Sequence, residues 1–348
     1  MGLLDLILGK KEQIGVGIDI GSTAVKIAVT ELDREGKYTL LDVVEAPLPP
    51  KAVEKGEIHD PKEVVKALKS IKNRLPRGRV CFTFSPYKST IFSFTAPRDA
   101  KNIDAMVERE LKKRIPVSMS ELAVDYTRIE YSSKESIVTV VVGKKKAIEE
   151  SVNLIGDAGI HVDSLTSTYV TIANVALLCY PELADSQGAL VIDMGYSITS
   201  CICIKGGAVT HGGYIENGVK TLEEAAASMQ GTGWEEVRRA LIEKKLPDEV
   251  KEPAILSFIE KVAPEIDAYL TMCQSESPIK CTSLSVLGCG GGMDIPDLPQ
   301  EMGFSLSSPH TVEVLDVTRE LRVHLNALEM LKASGAARMI PAIGASLI

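Results

Sequence analysis

The sequence predicts an α/β protein of two lobes, on three observations. Apolar strand-like runs alternate with helical patterns along most of the 348 residues, the sign of sheets covered by helices. Two strand–turn–strand segments, at 14–30 and 189–204, repeat one order: apolar strand, aspartate, glycine, hydroxyl. Asp193 stands 174 residues after Asp19, half the length of the chain, so the hairpins divide it into two comparable parts.

The elements follow in order. In the first hairpin, β-branched residues flank a Gly21-Ser22-Thr23 turn. A short strand and a proline-rich stretch (46–50) precede Asp60-Pro61, which opens a helix to about 74 with Asp60 as N-cap and Pro61 at the first helical position. From 79 to 143 two strands (80–85, 90–95) precede a charged helix (99–114) and two further strands (122–130, 137–142), and the strand–helix–strand–strand run among them reads as a small inserted subdomain. Helices at 145–158 and 166–180 lead to the second hairpin. A Thr221-x-x-Glu224 capping box is expected to open the next helix, with others at 234–245 and 258–274. A strand at 283–287 enters Gly288-Cys-Gly-Gly-Gly292, and two helices and an apolar tail (340–348) close the chain. The expected divisions are 1–78 (first lobe), 79–158 (insert), 159–187 (return to the first lobe), 188–335 (second lobe) and 336–348 (closing segment).

Composition excludes several classes of function. Asp and Glu total 47 against 39 Lys and Arg, a net charge of −8, which leaves no electrostatic footprint for duplex nucleic acid. No stretch nears the roughly 18–20 apolar residues that span a bilayer. The apolar run Leu3–Leu8 is short, carries Asp5, and reads as a helix tucked against the first lobe rather than a signal peptide. Seven scattered cysteines, without a C-x-x-C pair, suggest neither zinc nor a redox couple. Cys201 and Cys203 share one face of an apolar strand and read as buried structural thiols. The five histidines are dispersed and suggest no triad.

The chemistry lies in the turns. Asp19-Ile-Gly21-Ser22 and Asp193-Met-Gly195-Tyr-Ser197 each end a strand on a carboxylate and then bend at glycine. Such a bend lets turn amides converge on an anion, as in a phosphate nest. Asp19 and Asp193 at the mouth suit Mg²⁺ held through water. Lys26, on the return strand, suits a β-phosphate as a point charge. The Gly288–Gly292 run leaves bare backbone for a planar ring to approach. Its spacing is neither that of the dinucleotide fingerprint nor that of a P-loop.

Taken in order, these turns resemble those of the actin-like ATPase superfamily: phosphate-1 at 19–26, phosphate-2 at 193–199 and an adenosine motif at 288–292. Within it the chain resembles the PilM family of type IV pilus assembly proteins, relatives of FtsA. The insert falls between the phosphate motifs and carries Val107-Glu-Arg-Glu-Leu-Lys-Lys-Arg-Ile-Pro116 and Glu121-Leu-Ala-Val-Asp-Tyr126, and the Trp234-Glu-Glu-Val-Arg-Arg239 helix start resembles the nucleotide-side helix of that family. The chain also stops without the amphipathic tail of FtsA.

The resemblance implies an actin-like (ribonuclease H-like) two-lobed fold with an SHS2-type α+β insert. It implies ATP and Mg²⁺ between the lobes, and connecting helices at 166–180 and 342–348. Asp19, Gly21, Ser22, Thr23, Lys26, Asp193, Gly195, Ser197, Gly290, Gly291 and Gly292 are the implied nucleotide residues, with Glu236 and Arg239 beside ribose or adenine. The implied role is that of a cytoplasmic adaptor in pilus assembly and twitching motility. It grips the N-terminal tail of the inner-membrane protein PilN in the cleft between first lobe and insert, links it to the motor machinery, and sits peripherally at the inner membrane through that partner. Tyr196 departs from the family's second glycine, and 166–180 lacks the Gln, Glu or Asp that orients water in active members. Slow or absent hydrolysis is therefore expected. Two other readings are a small-molecule kinase of the same superfamily, with Asp125 or Asp163 as its base, and an FtsA-like filament.

Overall fold

The computed structural model describes residues 13–347 apart from 186, 276–278 and 280. The apolar run Leu3–Leu8 lies outside the described residues. The chain opens with an antiparallel hairpin, β1 (Gln13–Ile20) and β2 (Ala24–Leu32), continued by β3 (Tyr38–Pro47) and a small hairpin of β4 (Val53–Glu54) and β5 (Glu57–Ile58). Helix α1 (Pro61–Ile71) and a 3₁₀ turn lead to β6 (Arg79–Phe84). Next come β7 (Ser89–Pro97), α2 (Ile103–Arg114), β8 (Leu122–Glu130) and β9 (Glu135–Lys144), in the strand–helix–strand–strand order expected. Helix α3 (Lys145–Asp157), β10 (Ser164–Ser167) and α4 (Thr168–Cys179) end the first half.

The second half comprises β11 (Gln187–Met194), β12 (Thr199–Lys205), β13 (Ala208–Ile215), α5 (Val219–Gln230), α6 (Trp234–Ile242), α7 (Asp248–Ser275), β14 (Ser283–Cys289), α8 (Leu298–Ser305) and β15 (Val312–Val314). It returns to the first sheet through β16 (Arg322–Val323), α9 (Leu325–Ser334) and α10 (Ile340–Ser346).

Two sheets carry the fold, in the orders β10-β6-β1-β2-β3-β16 and β15-β14-β11-β12-β13-β7-β9-β8. Their first five strands correspond one to one, so each lobe has the same frame and the repeated hairpins occupy the same place in it. Asp19 pairs across β2 with Lys26 and alongside β6 with Thr83. Asp193 pairs across β12 with Ser200 and alongside β14 with Cys289. Both aspartates thus end a central strand at the carboxyl edge of its parallel neighbour, where open α/β sheets present ligand sites.

The pairing moves the insert's edges. β6 hydrogen-bonds to β1 and belongs to the first sheet, although 79–158 was expected to be insert. Leu154 and Ile155 of α3 are buried in the first lobe's core, against Leu68 and Ile71. The separate strands are β7, β8 and β9, with Val107 and Leu111 of α2 packed on Val138 and Val140. This sheet is not isolated. β7 continues the second sheet at β13, where Phe92 pairs with His211 and Ser93 Oγ donates to the Val209 carbonyl at 2.5 Å.

Three local expectations also shift. Residues 166 and 167 belong to β10, and α4 starts at Thr168 with the Ser167 hydroxyl accepting from the Tyr169 amide. The expected Thr221 capping box does not form. The Gly195 and Tyr196 carbonyls accept from the Val219 and Lys220 amides at 3.0 Å, so the N-cap is Gly218, three residues earlier, and α5 starts against the turn after Asp193. Helix α7 begins ten residues before the expected 258 and carries Pro253 and Pro264 within it. No helix among the described residues is long and apolar enough to cross a membrane.

The lobes share a core. Ile172 and Val175 of α4 and Ile340 and Ile343 of α10 are fully buried with Leu40 of the first sheet and Val191 of the second. Burying such side chains is worth about 1.5–3 kcal/mol each. These two helices therefore join the lobes beneath the hairpin turns.

Candidate nucleotide site

The two hairpin turns and the glycine run border one cavity of about 770 Å³ between the lobes, a size that suits a small-molecule ligand. On the first-lobe side, the Gly21 amide donates to the Ala24 carbonyl at 3.0 Å and closes the turn. Lys26 Nζ reaches Asp19 Oδ2 at 3.0 Å, with both side chains largely buried. The turns meet where Ser197 Oγ donates to Ser22 Oγ at 2.8 Å.

On the second-lobe side, burial pushes the Asp193 carboxyl up to about 6; Lys26 draws it down and the Asp19 charge raises it further. The charge of Lys26 therefore acts on both carboxylates. Gly290 stands beside Asp193 with φ +85°, and an added Cβ there would lie 2.6 Å from the Met194 carbonyl oxygen. Only glycine fits that conformation and that approach. Ser200 takes in the second hairpin the register Lys26 holds in the first, and its buried hydroxyl makes no hydrogen bond among the described residues.

The far end is built by α5 and α6. Glu223 is 4% exposed and accepts from Arg238 Nε at 3.0 and 3.2 Å. The Arg238 guanidinium lies 4.1 Å from the Tyr196 ring centroid and 4.9 Å from that of Trp234. This stacking holds Arg238 in place, yet its Nη2 is buried without a hydrogen-bond partner among the described residues. Burial raises the Glu223 carboxyl despite Arg238, and raises the Tyr196 phenol. Tyr196 thus lines the cavity as a platform for Arg238. Across the opening, Arg338 lies 3.5 Å from Asp294 and 4.0 Å from Glu45, one carboxylate from each lobe.

The cavity gathers Asp19, Gly21, Ser22, Thr23, Lys26, Asp193, Gly195, Ser197, Gly290 and Gly291 into its lining. Gly292 lies just behind, its α-hydrogen side against Met194 and Val219. Glu236 and Arg239 do not line it. Trp234, Val237 and Leu241 set the inward phase of α6, which leaves positions 236 and 239 exposed and turns Arg238 to the site. Sequence reasoning missed Ser200, Glu223, Arg238 and Arg338. The helical phase of Val219, Leu222, Ala226 and Val237 was the available signal for Glu223 and Arg238.

One expectation about cysteine is overturned. Cys203 of β12 and Cys273 of α7 form a disulfide across 70 residues, with His211 beside it. The partners lie on elements too far apart in sequence for spacing to betray them.

The fold recurs in solved structures. The structure of a PilM-PilN type IV pilus biogenesis complex has a TM-score of 0.77 at 16% identity, covering 96% of this chain and 97% of that one. The ethanolamine utilization protein EutJ from Carboxydothermus hydrogenoformans has a TM-score of 0.57 at 16% identity, covering 99% and 95%. MreB 5 of Spiroplasma citri, bound to AMPPNP, has a TM-score of 0.50 at 12% identity, covering 96% and 95%. At these identities the likeness establishes the actin-like ATPase fold. No curated protein matches the sequence. Residues 17–347 match the family described as type IV pilus assembly protein PilM, and the chain belongs to that family.

Proposed function

We propose that this chain is a cytoplasmic, ATP- and Mg²⁺-binding adaptor of type IV pilus assembly that grips the N-terminal tail of a PilN-type inner-membrane protein. The observation that carries the nucleotide half is the convergence of both aspartate hairpins and the glycine run on one cavity, with Lys26 between the two carboxylates. The donor set fits a nucleoside triphosphate. The turn amides and Lys26 would take phosphate oxygens, and Asp19 and Asp193 would hold Mg²⁺ through water, which neutralises phosphate charge. Glu223 and the unsatisfied Arg238 Nη2 replace Glu236 and Arg239 as the groups for ribose and base.

Helix α4 supports the reading of slow or absent hydrolysis. Thr168 is the residue of that helix in the cavity lining, and its hydroxyl donates to the Phe84 carbonyl at 3.1 Å and lies 2.9 Å from the Thr83 hydroxyl. It is engaged by the first lobe and too short to orient a water as Gln or Glu does. A kinase reading loses its bases, since neither Asp125 nor Asp163 lines the cavity. Asp163 instead accepts from the Val80 amide at 2.8 Å.

The partner half is supported by a second cavity of about 700 Å³ between first lobe and insert. Ile58, Tyr87, Ile115, Val117 and Leu122 are among its apolar lining residues, with Lys144 among its polar groups. An extended apolar tail suits that shape, and the similar solved structure is that of a PilM-PilN complex. Membrane attachment would come from the partner, and linkage to the pilus motor would run through it. The test is pull-down of a synthetic PilN-type tail peptide by the purified chain, with Mg-ATP binding by calorimetry. Absence of nucleotide binding refutes the reading, and turnover at or above about 1 s⁻¹ refutes its non-hydrolytic part.

A further inference from the structure

Cys203, Cys273 and His211 form a cluster apart from the sites above, since none of the three lines either cavity. They arrive from three elements. Cys203 of β12 and His211 of β13 stand directly opposite in the antiparallel pairing, so their side chains leave the same face of the sheet. Helix α7 covers that face. Its Tyr269 packs over Gly213, and Cys273, one turn on, meets Cys203 with the Cα atoms 5.8 Å apart. Among the described residues this is the one place where three such groups converge, their donor atoms all within 4.8 Å of one another.

The backbone is shaped around the cluster. The register shifts just after Cys203, where Thr210 is the extra residue of β13, and a bulge of this kind re-aims a side chain. The Thr210 hydroxyl donates to the Cys203 carbonyl at 3.3 Å and lies 3.3 Å from His211 Nδ1. Having spent its proton on the carbonyl, it can only accept from Nδ1–H, which puts the imidazole lone pair on Nε2. Metal-bound histidines are oriented by outer-shell partners in the same way. Both cysteines are fully buried, while His211 is partly exposed and opens a way in from solvent.

We propose that Cys203, Cys273 and His211, with the two sulfurs reduced, form a binding site for a thiophilic d10 cation, Zn²⁺ in particular, which the disulfide closes. Synthesis of the chain yields the two thiols directly. From the disulfide, a phosphine and one water return them, the phosphorus being oxidised to phosphine oxide. On binding, each thiol releases its proton to solvent and each sulfur donates a lone pair to the metal. Two thiolates, a neutral imidazole and Zn²⁺ sum to zero charge, which an apolar core accepts far more readily than a lone thiolate. Zinc–sulfur bonds of about 2.3 Å and a zinc–nitrogen bond of about 2.0 Å set tetrahedral ligands about 3.5–3.8 Å apart, within the spread of the cluster. The fourth position is left to water, as in other sites of two cysteines and one histidine. The ion would clip α7 to β12 and β13 at the residue where β13 takes on the insert, since His211 also pairs with Phe92 of β7.

The test reduces the full chain with a phosphine in oxygen-free buffer, counts the thiols, and titrates Co²⁺ as a spectroscopic probe and then Zn²⁺. One Co²⁺ per chain is expected, with sulfur-to-cobalt charge-transfer bands and the visible bands of a tetrahedral site, all displaced by one Zn²⁺. Zn²⁺ should also raise the Tm of the reduced chain and leave that of the oxidised chain unchanged. An outer-shell partner alone is worth about 10–100-fold in metal affinity, so His211→Gln and Cys273→Ser should each lose more than about 100-fold. Cys201→Ser, two residues along the same strand face, should bind as the wild type does. Urea unfolding of every reduced variant with chelator, compared with the wild type, separates a lost ligand from a lost fold, and the two ligand variants lie on different elements. A fully reduced wild type that takes up no metal, or a Cys203–Cys273 pair that resists reduction in the folded chain, overturns the site. Wild-type affinity in a folded His211→Gln variant overturns it as well, because the dithiol would then be binding alone.

Discussion

Replacing Gly344 with alanine probes the joint between the lobes. Helix α10 passes between α4 and β1. On one face, a Cβ at Gly344 would lie 2.5 Å from the Thr171 carbonyl carbon and 2.9 Å from its Cα. That is about 1 Å short of an ordinary carbon contact of about 3.5 Å. Residues two apart in a helix point to nearly opposite sides, and at 342 and 346 the backbone of α10 presses on Gly17, where an added Cβ would come within 2.6 Å of the Ser346 amide. The helix therefore has no room to retreat, and the obstructing atoms are backbone that no rotamer change removes. Overpacking of this kind costs about 3 kcal/mol, and the better helix propensity of alanine returns about 1. Gly344→Ala should lose about 2 kcal/mol in urea unfolding at an unchanged m-value. It should also bind nucleotide more weakly, because Pro341 at the start of α10 and Arg338 just before it line the cleft. A variant within about 0.5 kcal/mol of the wild type, the noise of a surface substitution, and with normal nucleotide affinity would show that the contact yields and that the lobes do not depend on it.

Lys26→Ala removes a charge-assisted partner of Asp19 and of the incoming phosphates, worth about 1.5–3 kcal/mol; nucleotide affinity measured by calorimetry should drop at least about tenfold. Glu223→Gln weakens the anchor of Arg238 and should raise the dissociation constant of ATP while leaving that of free triphosphate unchanged, a contrast lost if Glu223 lies outside the ribose–base end. Asp193→Asn bears on pH. Because burial raises the folded carboxyl to about 6 from an ordinary 3.8, this group favours folding below about pH 4 and loses that contribution as pH rises through 6. At 1.36 kcal/mol per pH unit the gap sets a ceiling of about 3 kcal/mol. Without nucleotide, the Asn variant should melt progressively higher than the wild type between about pH 5 and 7.5, and the gain should vanish with Mg-ATP; equal melting at both pH values would contradict the buried-charge account.

The hairpins were legible because their chemistry is local. An aspartate ending a strand, a glycine bend and a hydroxyl lie within a few residues, and the antiparallel pairing that sets Asp19 opposite Lys26 follows from the turn between them. Glu223, Arg238 and Arg338 were not legible in the same way. Arg238 and Arg239 are adjacent and chemically equal; the phase of Trp234, Val237 and Leu241 separates them, but only the packing of α6 on the second lobe aims that face at the cavity. The start of α5 was misread for a similar reason, since its amides are satisfied by the carbonyls of Gly195 and Tyr196, more than twenty residues earlier, and not by the nearby Thr221.

Strand periodicity, the matched turns and their spacing were enough to determine an α/β chain of two lobes with a strand–helix–strand–strand insert and paired aspartate–glycine turns facing one cavity. Tertiary structure decided that β6 belongs to the first sheet, that β7 extends the second, and that Cys203 meets Cys273. The physical reason is range. Turn chemistry and alternation are properties of a few consecutive residues, whereas strand neighbours, helix phase against a core and contacts between lobes depend on which distant surfaces exclude water together.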